Sequence, residues 1–117
     1  MRVLLIDDDK DLRGCLKDQL VGLGHSVFEA ENGEAGLNTL KSENVDLVIS
    51  DIQMPILNGV GFLKKAREQY PTLPIFLMTG FSPYTEKQIL EMGANGYIEK
   101  PMINLHSIIA QISVRVA

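Results

Sequence analysis

Val3-Leu4-Leu5-Ile6, followed at once by Asp7-Asp8-Asp9, opens the chain with an unbroken apolar run that ends on three acids. A run with no polar alternation reads as a strand covered on both faces, the signature of a parallel sheet between helices. The next residues change period. Leu12, Leu16, Leu20 and Leu23 recur at helical spacing, and Gly22 and Gly24 close that helix. The same two-part unit then repeats along the chain. Ser26-Val27-Phe28-Glu29 is a short strand, Asn32-Gly33 a turn, and 34–42 a helix. Val45 to Ser50 is a third strand, with Val48 and Ile49 at its centre. Pro55 and Asn58-Gly59 break regular structure, so 51–59 reads as a loop. Val60, Leu63 and Tyr70 share a helix face, and Pro71 stops that helix. Pro74 to Met78 is a fourth strand, Thr85 to Met92 a short helix ended by Gly93, and Gly96-Tyr97-Ile98 a fifth strand. Leu105, Ile108, Ile109, Ile112 and Val116 give a last helix a clean apolar face.

Strand-helix alternation repeated five times predicts an α/β fold with a parallel five-stranded sheet and helices on both sides. At 117 residues the expected architecture is a flavodoxin-like (βα)5 three-layer sandwich, strand order 2-1-3-4-5, with 1–117 as one domain. No linker, repeat or low-complexity segment interrupts it.

Composition narrows the class. The hydrophobic fraction is 45 % and the charged fraction 22 %, ordinary values for a globular domain with one core. A net charge of −4 and a pI near 5.1 argue against a nucleic-acid surface, which needs clustered Lys and Arg, and against a polybasic membrane patch. No apolar run reaches the ~20 residues of a membrane span. The one cysteine, Cys15, forms no internal disulfide and reads as a half-buried helix residue. A reduced, cytoplasmic setting is the expectation.

In a parallel α/β sheet ligands bind beyond the carboxyl ends of the strands. Asp7, Asp8 and Asp9 follow the first strand, Asp51 the third, Thr79 the fourth and Lys100 the fifth. Converging carboxylates repel unless a hard cation joins them. Mg²⁺ takes one or two protein carboxylates plus phosphate oxygens, and Asp7, Asp8 and Asp51 can supply such a set. Lys100 adds a point charge suited to a phosphoryl oxygen, and Thr79 a hydroxyl donor. This constellation describes phosphoryl transfer to a carboxylate, with Asp51 as the attacking group. Asp9 reads instead as a helix N-cap. His25 and His106 lie away from the strand ends, and the methionines read as core fillers.

Ile6-Asp7-Asp8-Asp9, Asp51-Ile52-Gln53-Met54-Pro55 with Gly59, Met78-Thr79-Gly80, and Gly96-Tyr97-Ile98-Glu99-Lys100-Pro101 together resemble the receiver domains of two-component response regulators. The resemblance covers essentially the whole chain. It implies Asp51 as phosphoacceptor, Asp7 and Asp8 as metal ligands, and the backbone carbonyl of Gln53 as a third protein ligand. It implies Lys100 as the partner of the phosphoryl group, a cis Lys100-Pro101 peptide, and Thr79 with Tyr97 as a switch pair. The implied partners are a histidine kinase or phosphotransfer protein and a downstream effector. The effector would meet the face formed by the fourth helix, fifth strand and last helix. Gln53 and Phe81 occupy variable flanking positions, and an apolar Phe81 would shield the phosphoryl group from water. The implied protein is a signalling module, not an enzyme acting on a separate substrate.

Other readings fit less well. Asp7-x-Asp9 resembles the nucleophile motif of haloacid-dehalogenase-type phosphatases, but a later acidic pair is absent from the sequence. A calcium loop starting at Asp7 meets Leu12 where glycine is needed and Asp18 where glutamate is needed. No glycine-rich phosphate loop follows the first strand. A binding module with a degenerate site is disfavoured by the intact residue set.

Overall fold

The computed structural model describes residues 1–54, 56–79 and 84–99, the side chain of Glu99 excepted. Within them run β1 (Arg2–Ile6), α1 (Lys10–Gly22), β2 (Ser26–Ala30), α2 (Gly33–Ser42), β3 (Leu47–Asp51), α3 (Gly59–Gln69), β4 (Ile75–Thr79), α4 (Glu86–Glu91) and β5 (Gly96–Glu99). The expected last helix, with His106, lies outside the described residues, as do Phe81, Lys100 and Pro101.

All strand pairs are parallel, and the order is β2-β1-β3-β4-β5, as expected from the alternation. β1, β3 and β4 are the inner strands, which explains their continuous apolar character: Val3 to Ile6, Leu47 to Ile49 and Ile75 to Met78 are all buried. β2 is an edge strand, with Ser26 and Glu29 exposed and Val27 and Phe28 half-buried.

Successive side chains of a strand point to opposite faces, and the core divides accordingly. Leu4, Ile6, Val48, Ile75 and Leu77 pack against Leu40 of α2, Val60, Phe62, Leu63 and Ala66 of α3, and Ile89 of α4. Val3, Leu5, Leu47, Ile49, Phe76, Met78 and Ile98 pack on the other side with Leu16 and Leu20 of α1. The sheet is thus the middle of three layers.

Helix starts follow the local chemistry. Asp9 caps α1, its carboxylate accepting from the N–H groups of Asp11 and Leu12. Asn32 caps α2 and Asn58 caps α3. Thr85 and Gln88 form a reciprocal capping box on α4. Cys15 departs from expectation: it is exposed, not half-buried. Leu12, Leu16 and Leu20 occupy the inward stripe of α1, and a residue one position from Leu16 lies ~100° around the helix from it. No described helix is long and apolar enough to cross a membrane.

Candidate functional site

β1 and β3 are adjacent, and their register pairs Ile6 with Ser50. One step further along both strands brings Asp7 level with Asp51. Alternation carries both to the same side of the sheet, the side of Val3, Leu5 and Ile49. Asp7 is fully buried and Asp51 only 7 % exposed, whereas Asp8 reaches solvent. Oxygens offered by Asp7, Asp8 and Asp51 all lie within 4.8 Å of one another. The sequence expectation that these acids form one cluster is therefore met geometrically.

The backbone around the cluster is held at several points. The Asp7 N–H donates to the Ala30 carbonyl at 3.1 Å, tying the end of β1 to β2. The Asp7 carboxylate accepts from the Asp9 N–H at 2.9 Å, which fixes its rotation. The Gln53 N–H makes a long 3.4 Å contact to the Asp51 carboxylate. Behind Asp51, the Ile52 N–H donates to the Met78 carbonyl at 3.1 Å and the Gly59 N–H to the Ile52 carbonyl at 2.8 Å. Gly59 must be glycine here, because a Cβ would collide with the Asp51 carbonyl oxygen and Ile52 Cα. The loop also crosses to α2, where the Gly33 N–H donates to the Leu57 carbonyl at 3.0 Å. Among the described residues of this loop Ile56 is strained, with φ +69°, and it is 76 % exposed.

Thr79 ends β4 and is buried. Register pairs Asp51 with Met78, Thr79 with Glu99, and Leu77 with Tyr97. Thr79, Leu77 and Tyr97 therefore share the face toward α3 and α4, with half-buried Tyr97 packed into that core. The two expected switch residues lie on neighbouring strands of one face.

Arg13 is a site-adjacent residue that the sequence reading missed. Its guanidinium donates to the Asp7 backbone carbonyl and, at 3.1 Å, to Glu29 of β2. Lys17 meets the other Glu29 oxygen at 3.3 Å. Burial pushes the Glu29 carboxyl up, but hydrogen bonds and charge from Arg13 and Lys17 outweigh it, and the net effect holds Glu29 below its usual range. An arginine one turn into a helix is unremarkable in sequence. The signal that would expose it, Glu29, sits 16 residues away on another strand. His25 lies beside the Met1 amino group at the opposite end of β1 and takes no part in the cluster.

Residues 3–113 match the family described as the response regulator receiver domain. The chain is 39 % identical over 101 residues to the response regulator protein FleR of Pseudomonas aeruginosa, spanning 86 % of this chain and 21 % of that protein. It is 35 % identical over 112 residues to the transcriptional regulatory protein CpxR of Escherichia coli, spanning 95 % of this chain and 47 % of that protein. The chain thus covers less than half the length of these relatives. Among solved structures it resembles the response regulator protein TrrA of Thermotoga maritima, determined in complex with Mg²⁺-BeF. That likeness has a TM-score of 0.87 and 31 % identity, covering 99 % of this chain and 98 % of that one.

Proposed function

The chain belongs to the response-regulator receiver domain family of two-component signalling, and from that premise we propose that it is a phosphorylation switch whose acceptor is the Asp51 carboxylate. The observation that carries the reading is the cluster of Asp7, Asp8 and Asp51, with oxygens mutually within 4.8 Å. Two buried acids with a third, exposed one this close are costly bare and suit a hard divalent cation. Mg²⁺ would be held by Asp7, Asp8, Asp51 and the Gln53 backbone carbonyl. When bound, it supplies positive charge against the phosphoryl oxygens as transfer proceeds.

The chain's own part is positioning. Asp51 is aimed by its strand end and by the loop closing over Ile52 and Gly59. Its carboxylate oxygen attacks phosphorus in line. The bond from phosphorus to the donor nitrogen breaks, and the imidazole of a histidine kinase or phosphotransfer protein leaves. Lys100 would pair with the transferred group, and Thr79 would donate its hydroxyl to it. Movement of Thr79 toward the new charge opens space on the face it shares with Tyr97. An inward swing of Tyr97 then remodels the α4–β5 surface, with the last helix, for an effector. The chain is a signalling module whose chemistry is confined to its own phosphorylation and dephosphorylation. Residues 1–117 act as one domain, and a cytoplasmic setting follows from a kinase partner.

Incubation with Mg²⁺ and acetyl phosphate tests this by intact mass. An acid-stable, base-labile adduct of ~80 Da is expected on the parent. It is absent without Mg²⁺ and absent in Asp51→Ala. An unchanged adduct in Asp51→Ala, or none in the parent, would refute the assignment.

A further inference from the structure

Asp7 is oriented by three hydrogen bonds, and one of them comes from a side chain of α1. The Asp7 N–H is held by Ala30, its carboxylate by the Asp9 N–H, and its backbone carbonyl by Arg13. Arg13 is itself well defined. Its side chain is only 13 % exposed, and the Arg13 N–H donates to the Asp9 carbonyl at 2.9 Å within the first turn of α1. Its guanidinium is bridged by Glu29 on the edge strand, and Glu29 is steadied from its other oxygen by Lys17.

Simple electrostatics makes this arrangement odd. A guanidinium beside a cation site repels the incoming cation. An arginine kept there must act through geometry, or it is a liability. Its charge is directed at Glu29, and its second contact is to the carbonyl of the residue that anchors the acid cluster. The carbonyl of the peptide linking Asp7 to Asp8 is therefore held by Arg13 of α1, which is itself braced by Glu29 of β2. That peptide sets the relative aim of the two carboxylates, one buried and one exposed.

We infer that Arg13, braced by Glu29, is a positioning residue for the cation site, holding the Asp7–Asp8 peptide so that both carboxylates face Asp51. The inference rests on the metal-binding reading above. Outer contacts of this kind commonly contribute on the order of tenfold to tenfold squared in metal affinity. Because Arg13 is cationic, its removal gives opposite signs for the two roles it could have. Lost positioning weakens Mg²⁺ binding, and lost repulsion tightens it.

The test is Mg²⁺ titration of the phosphate-free protein, followed by amide chemical shifts, with circular dichroism to verify folding. Arg13→Ala is expected to raise the Mg²⁺ dissociation constant on the order of tenfold. Arg13→Lys keeps the charge but lacks the fork that spans both acceptors, so it is also expected to weaken binding. Glu29→Gln leaves Arg13 in place, weakens its brace, and is expected to give a smaller weakening in the same direction. Arg2→Ala, at the opposite end of β1, leaves the constant unchanged. Equal or tighter binding by folded Arg13→Ala overturns the inference. Should that variant not fold, unchanged binding by both Arg13→Lys and Glu29→Gln overturns it instead. A parent that takes up no Mg²⁺ refutes the metal-binding reading itself, a result distinguishable because it precedes any substitution.

Discussion

Asp51→Asn should make the metal-free protein more stable, although it removes the central residue of the site. Asp7 and Asp51 are both buried, with oxygens within 4.8 Å. At that separation two like charges repel by roughly 0.9 kcal/mol in bulk water and roughly 3.5 kcal/mol at an effective dielectric of 20. Asn has the same shape and can donate to Asp7. Among its contacts, the one from the Gln53 N–H is long at 3.4 Å, so weakening that one costs little. A net gain of ~1–3 kcal/mol is expected, which for a domain of this size is a rise of ~4–12 °C in Tm. The assay is thermal unfolding at low ionic strength with chelator, then with Mg²⁺. Saturating metal at a hundred times its dissociation constant adds ~2.7 kcal/mol to the parent and much less to the variant, so the order of stability narrows or inverts. A variant no more stable than the parent without metal, or an equal Mg²⁺ effect on both, would show that these carboxylates are not an electrostatically frustrated cation site.

Two further outcomes follow from local features. Ile56 has a backbone conformation that β-branched residues avoid and a side chain 76 % in solvent, so Ile56→Asn should raise stability by about 1 kcal/mol; a lower urea midpoint would show that the side chain packs against something. Desolvation, and then the Met1 amino group, hold the His25 imidazole below its ordinary 6.5. The unfolded chain therefore binds that proton more readily, and the contribution present above pH 6.5 is lost as pH falls below it. His25→Gln should flatten the urea midpoint between about pH 7.5 and 5.5, and an unchanged slope would remove His25 as the cause.

The amino-acid order alone was enough for the succession of the described elements, β1 to β5, and for the parallel sheet. Burial on both faces leaves Val3 to Ile6 and Ile75 to Met78 unbroken by polar residues, and that pattern is local to each run. Asp9 as a cap and Asn58-Gly59 as a break in regular structure were legible for the same reason: a cap and a turn are satisfied within a few residues. Asp7 and Asp51 could be named as candidates because fold class alone puts the residue after each inner strand at one rim. What the chain order does not contain is lateral register. Only the three-dimensional fold pairs Ile6 with Ser50, and that pairing sets Asp7 beside Asp51 on one side of the sheet. The same holds for Arg13 and Glu29, joined across the gap between α1 and β2, and for Cys15, turned outward because three leucines claim the inner stripe. Such contacts depend on how separate elements dock, a relation between distant residues for which no single stretch carries a pattern.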